Sequence, residues 1–168
     1  MYNVIGMLSR AGFTLVELMV SVGILAILSA GVLALIGQGP RQYSRDVRRQ
    51  TDLEQIRSAI ELYRSDNTSY PPCSPAATGC QINTTNVPAL TSSYILAIPT
   101  DPYGTAGRMY MYRPFDSASG TCSGTTADPC VTYSLCAALE RTTTAVVGSP
   151  ACAAAGCGAT CSYRVVNP

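Results

Sequence analysis

This 168-residue chain contains eight cysteines, whose thiols could form disulfides or bind a metal. All of them lie after residue 72: Cys73, Cys80, Cys122, Cys130, Cys136, Cys152, Cys157 and Cys161. An even number is typical of disulfides formed in an oxidising compartment. The alternative is a four-sulfur metal site, which usually contains CxxC pairs. The tightest spacings here are Cys157-x3-Cys161 and Cys152-x4-Cys157, so the pattern favours disulfides.

Distance along the chain favours two local disulfides, Cys73 with Cys80 and Cys122 with Cys130. The other four cysteines then pair among themselves, with a connectivity that the sequence leaves open. Each closed loop would stabilise a small domain by roughly 2–4 kcal/mol.

The composition argues against catalysis. Histidine is absent, which removes the most frequent general base and the most frequent zinc ligand. We therefore expect no enzyme activity, no catalytic residues, no cofactor and no metal. One alternative is a membrane-anchored, disulfide-rich redox or binding domain, but catalytic thiols usually occur in a CxxC motif, and this sequence has none.

An uncharged segment near the N-terminus predicts a membrane helix. Leu18–Gly39 contains 22 residues without a charge, and a helix of that length spans ~33 Å, enough to cross a bilayer. The single basic residue upstream, Arg10, places the start of the chain on the cytoplasmic side. Glu17 lies at the membrane end of this segment, where an ionisable group costs free energy unless it finds a partner.

The residues Gly12-Phe13-Thr14-Leu15-Val16-Glu17, followed at once by the apolar segment, resemble the class III signal of type IV pilins and type II secretion pseudopilins. The resemblance implies that a prepilin peptidase removes residues 1–12 as a leader, cutting between Gly12 and Phe13, and methylates the new terminus of Phe13. It also implies that Glu17 pairs with the Phe13 amine of a neighbouring subunit during assembly. Independently, glycine at position 12 allows close approach of an enzyme to the backbone.

The remaining sequence predicts an α+β fold with a long N-terminal hydrophobic helix over residues 13–39, followed by a globular domain over residues 40–168. An amphipathic helix over 41–66 carries one apolar stripe, formed by Leu53, Ile56, Ile60 and Tyr63. Strand-forming runs at 108–113, 131–140 and 161–166 predict a small antiparallel sheet of three or four strands, with a disulfide-rich C-terminal region. This is the architecture that the resemblance to pilins implies.

Helix breakers separate the two predicted helices. Gly37, Gly39 and Pro40 follow the apolar segment and predict a kink or an unwound stretch.

Three further patterns suggest finer properties. The turn Ile98-Pro99-Thr100-Asp101-Pro102-Tyr103-Gly104 resembles the one that precedes the sheet in major pseudopilins and in many Gram-positive or environmental pilins, with its Asp101–Gly104 part leaning toward pseudopilins. Those proteins often bind calcium near a later loop, but Asp116 and Asp128 are the only acidic residues in the matching region, and two carboxylates fall short of about six to eight oxygen ligands. A third pattern, the arginines Arg41, Arg45, Arg48 and Arg49 on one predicted helix, raises DNA binding as a hypothesis.

The preferred hypothesis is a structural subunit of a type IV pilus that serves adhesion, motility or DNA uptake. It would be a homo-oligomeric filament, held first in the cytoplasmic membrane and then displayed on the cell surface. Its expected partners are prepilin peptidase, a pilus assembly platform, minor pilins, and DNA or host surfaces. The alternative within the same architecture is a type II secretion pseudopilin that forms a periplasmic pseudopilus, which the Asp101–Gly104 turn favours.

Overall fold

Two long helices precede a small sheet in the structure, which is a computed structural model. It describes residues 12–35, 39–74, 79–91, 93–103, 107–146, 152 and 156–168, with the side chains of residues 34 and 35 left aside. The chain divides into two units, Met1–Pro40 and Arg41–Pro168. We call the second unit the head.

Helix α1, Leu15–Leu35, is apolar on every side. Its side chains are exposed from Leu15 through Leu33. Such exposure is typical of a helix that buries its surface in lipid or in other subunits. Within the described part of the chain it is the one helix long and apolar enough to cross a membrane. The predicted apolar helix of residues 13–39 contains α1, and residues 36–38 lie outside the described residues.

Helix α2 covers Gly39–Asp66 and follows the amphipathic pattern of its sequence. Gly39 and Pro40 begin α2, whereas residues 36–38, on which the predicted kink or unwound stretch falls, lie outside the described residues. Proline is favoured in a first helical turn, where its missing N–H has no intrahelical partner to lose. At the other end, the backbone N–H and the side-chain amide of Asn67 both donate to the Tyr63 carbonyl at 2.9 Å. This bond pair ends the helix.

Four antiparallel strands form one sheet, in the order β1 (Cys80–Gln81), β2 (Met111–Phe115), β3 (Thr132–Ala137) and β4 (Tyr163–Val166). The three predicted strand runs contain or overlap β2, β3 and β4, each of which is shorter than or shifted from its run. The two-residue strand β1 lies outside the three predicted strand runs. This arrangement confirms the predicted α+β class.

The two faces of the sheet are covered by different layers. Tyr112, Leu135 and Val165 are aligned across β2, β3 and β4 and belong to the core that includes the stripe of α2. The alternating positions Met111 and Cys136 face a second, smaller core, whose other buried members are Ala138, Cys152, Cys157 and Cys161. Strand alternation therefore produces an α2 layer on one face and a cysteine-rich layer on the other.

Shortening a side chain of the α2 stripe should make the head unfold at a lower urea concentration. Ile60 is fully buried, so Ile60→Ala is expected to reduce the free energy of unfolding by about 2–5 kcal/mol. The matched control is Leu62→Ala on the same helix, where the side chain is 56% exposed and the change should stay within about 0.5 kcal/mol. Urea unfolding of the processed chain in detergent, with its disulfides intact, measures both; equal losses would contradict the assigned stripe.

Candidate processing and assembly site

The segment before α1 is open to an enzyme. Gly12, Phe13 and Thr14 precede the first helical turn, and the Phe13 side chain is 80% exposed. No described atom lies within 4 Å of the point where a Cβ on Gly12 would stand. In the described part of the chain, the residues on both sides of the Gly12–Phe13 peptide bond are therefore exposed.

Glu17 occupies the third position of α1 and takes part in its N-terminal cap. The Glu17 N–H donates to the Thr14 hydroxyl at 3.2 Å, and Thr14-Leu15-Val16-Glu17 has the spacing of a capping box. The Ser21 hydroxyl donates to the Glu17 carbonyl at 2.7 Å. None of the ion pairs within the described residues includes the Glu17 carboxylate.

A buried arginine forms the main polar cluster of the head. The Arg49 side chain is fully buried, and its guanidinium donates two bonds to the Asp101 carboxylate, at 2.7 and 3.0 Å. It also donates to Asp46 at 2.7 Å and to Glu140 at 2.9 Å. Glu140 in turn accepts two bonds from Arg45, at 2.7 and 2.5 Å. The cluster joins α2, the turn at Asp101 and the segment after β3.

Arg45, Arg49 and Glu140 favour one another's ionised forms. Hydrogen bonds from Arg45, opposed by burial and assisted by Arg49, lower the pKa of Glu140 from its ordinary value of 4.5 to about 2. Burial alone would lower the pKa of Arg49, but its bonds to Asp101 and Glu140 outweigh that effect and raise it. Every buried side-chain nitrogen and oxygen in the described residues has a hydrogen-bond partner, so the desolvated charges are compensated.

These contacts correct the hypothesis of an exposed arginine stripe. Arg49 is buried and Arg45 is engaged with Glu140, so neither presents a free cation to DNA. Arg48 is 64% exposed but lies 3.9 Å from the Asp52 carboxylate. Arg41 is the remaining exposed member. In the described part of the chain, these four arginines therefore do not form the continuous exposed stripe on which the DNA-binding hypothesis depends.

The turn at Asp101 has a structural role that its sequence did not reveal. Its carboxylate accepts the fork of Arg49 and also the Tyr103 N–H at 2.8 Å. The Tyr103 ring lies under two guanidinium groups, those of Arg45 at 5.3 Å and Arg108 at 5.7 Å. Gly104, the last residue of the motif, lies outside the described residues.

The two acidic residues considered for calcium close their own turns. One Asp116 oxygen accepts the N–H groups of Ala118 and Gly120, at 2.8 and 2.7 Å. An Asp128 oxygen accepts the Ser123 N–H at 2.7 Å. In the described ranges, no three acidic or cysteine side chains gather into a set that could hold a metal ion.

All eight cysteines form disulfides, joining Cys73 to Cys80, Cys122 to Cys130, Cys136 to Cys152 and Cys157 to Cys161. The first two are the pairs that distance along the sequence favours. Each cysteine is at most 8% exposed. The cysteines therefore contribute to the two cores of the head.

Comparison of the sequence with known proteins assigns the chain to a family. Residues 7–33 match the prokaryotic N-terminal methylation motif, and residues 39–122 match the family described as type II secretion system (T2SS), protein G. The protein named type II secretion system core protein G from Pseudomonas aeruginosa is 32% identical over 99 residues, which cover 56% of this chain and 69% of that protein. The chain belongs to the type II secretion system protein G family.

Other members of the protein G family agree with this assignment. The proteins of the same name from Vibrio cholerae and Pectobacterium carotovorum are each 31% identical, over 101 and 102 residues. These matches cover 58% and 57% of this chain, and 68% and 64% of the relatives. No solved structure matches the chain. The match to the family ends at residue 122, before β3 and β4.

The ionised state of Glu140 should make the stability of this protein G homologue sensitive to acid. Because the folded pKa is below the unfolded one, the stabilisation is complete above about pH 4.5 and is lost as the pH falls toward 2. We expect Glu140→Gln to be less stable at neutral pH and its unfolding curve to converge with that of the unchanged chain in acid. Urea unfolding between pH 2 and 7 measures this, with the exposed Glu54→Gln as control; parallel curves for Glu140→Gln would contradict it.

Proposed function

We propose that the chain is a pseudopilin, a non-catalytic subunit of the pseudopilus of a type II secretion system. The precursor would be held in the cytoplasmic membrane by α1 and cut between Gly12 and Phe13 by prepilin peptidase. Methylation of Phe13 would follow, and the processed chains would polymerise through α1 into a periplasmic filament. The assembly platform in the membrane would be the expected partner of this step.

The observation that carries the proposal is membership of the protein G family together with the methylation motif over residues 7–33. These matches favour the pseudopilus over the cell-surface pilus that the sequence analysis preferred. The exposed apolar surface of α1 supports polymerisation, since it has no partner among the described residues of its own chain. Catalytic redox chemistry has little support, because all eight cysteines are paired and buried.

The charge of Glu17 gives the polymer its register in this proposal. Cleavage would leave a cationic amine on Phe13, and an apolar environment makes an unpaired charge expensive. A Glu17 carboxylate on the neighbouring chain could pair with that amine. Any other axial offset would leave both charges unpaired, so this contact selects one offset.

The decisive experiment locates and weighs the protein in the bacterium that encodes it. The proposed function predicts a mass equal to residues 13–168 plus one methyl group, less the eight hydrogens removed by four disulfides. It also predicts recovery from the periplasmic and membrane fractions, with loss of type II secretion when the gene is deleted. Unimpaired secretion, with the processed protein in sheared surface filaments, would favour the pilus instead; an uncut chain would exclude both.

Substitution of Glu17 separates its charge from its capping role. Glutamine also fits the third position of a capping box, so Glu17→Gln should keep α1 helical while removing the carboxylate. We expect the variant to be cleaved normally but to assemble into far fewer filaments, as shown by chemical cross-linking of the membrane fraction and by secretion assays. The matched control is Glu54→Gln, whose side chain is 52% exposed on α2. Assembly of Glu17→Gln at the control level would refute the assigned role of this charge.

A further inference from the structure

An exposed leucine projects from the head at the C-terminal end of α2. Leu96 is 100% exposed, although its neighbour Ile95 is buried in the core. The Tyr94 ring packs edge-on against Tyr63, with centroids 5.3 Å apart, and the Asn67 amide donates to the Tyr94 hydroxyl at 3.4 Å. These contacts fix the loop that carries Leu96 beside the last turn of α2.

A groove lies at the opposite end of the same helix. It has a volume of about 370 Å³ and is lined by Tyr43, Asp46, Val47, Gln50, Leu139, Arg141 and Thr142. Tyr43 and Val47 are 57% and 42% exposed, while Leu139 forms part of its buried wall. Pockets for whole small molecules begin at about 300 Å³, so the groove has ample room for one aliphatic side chain.

The two features carry opposite charges. Asp66 is exposed at the C-terminal end of α2, where a carboxylate opposes the helix dipole and so does not stabilise the isolated fold. Beside the groove, the exposed Arg141 stacks over the Tyr43 ring at 5.5 Å. None of the ion pairs of the described residues includes Arg141 or Asp66. Each end thus offers at least one exposed apolar side chain and one charge that none of these ion pairs includes.

We propose that these surfaces dock on each other between two copies of the chain, with Leu96 of one copy in the groove beside Val47 of the next and Asp66 facing Arg141. Val47 and Tyr63 are separated by ~24 Å along α2, at ~1.5 Å per residue, so one chain cannot close this contact on itself. A contact between two different patches of identical chains is heterologous, and it propagates into an open helical filament when the rotation between successive copies does not close a ring. The proposal rests on the proposed function, since it adds a head-to-head contact to a polymer built through α1.

Photo-cross-linking tests the position of Leu96 directly. Benzoylphenylalanine is introduced at position 96 of the full-length chain, in cells that assemble the filament, and the products are mapped by mass spectrometry. We expect a covalent dimer that joins residue 96 to residues 42–48 or 139–142 of another copy. The matched control carries the probe at the exposed Thr126 and should give no link to these residues. Filaments whose links from position 96 reach other residues, or no second copy, would overturn the proposal.

Charge reversal tests the second half of the contact. Asp66→Arg and Arg141→Asp should each reduce filament formation, and the double variant should restore it, because every subunit then carries the reversed pair. Arginine at a helix C-terminus is favourable, so loss of assembly by Asp66→Arg cannot be attributed to weakening of α2. A double variant no better than either single one would overturn the pairing. If the unchanged, processed chain formed no polymer, the proposed function would fail and this contact with it.

Discussion

The arrangement of the head depends on how the charge of one buried guanidinium group is compensated. Arg49 has no exposed side-chain surface, and a buried charge of this kind persists only when carboxylates surround it. Those carboxylates come from three separate stretches of chain: Asp46 from α2, Asp101 from the turn before β2, and Glu140 from the segment after β3. The cluster therefore specifies how these stretches meet, in a way that apolar packing alone does not. Removing one carboxylate leaves the buried Arg49 cation with fewer counter-ions.

The sequence predicted the helices and the sheet well because their signals are periodic and local. It missed the arginine cluster because two of the three acidic partners are distant in sequence, with Asp101 lying 52 and Glu140 91 positions beyond Arg49. A signal was nevertheless present. Arg49 precedes Leu53 by four residues and so lies on the same helical stripe as Ile56 and Ile60. A charged residue within an apolar stripe must find counter-ions when the stripe is buried, whereas the sequence analysis grouped Arg49 with exposed arginines.

The part of the head beyond the family match also contains more complete disulfides than the matched part. Residues 123–168 supply β3, β4 and two complete disulfides, and they cover the outer face of the sheet. Their approach to the segment before β2 is close: the Met109 N–H donates to the Cys157 carbonyl at 3.0 Å. A Cβ on Gly158 would lie 1.6 Å from the Gly107 carbonyl oxygen, so only glycine fits. Short loops closed by disulfides suit such a layer, because it buries too few large apolar side chains to hold its own conformation.

The two units obtain their stability from different sources. The head buries its own core, whereas the described side chains of α1 are exposed and, in the proposed function, are covered by lipid or by other copies. Lipid tails and neighbouring apolar helices are similarly apolar. Transfer of α1 from lipid to a helix bundle therefore gains little from the hydrophobic effect. Polar groups must then decide the direction of transfer. Glu17 is costly in lipid, and in the proposed polymer it gains the Phe13 amine of a neighbour. A single carboxylate at the start of an otherwise apolar helix can thus shift the chain from the membrane into the filament.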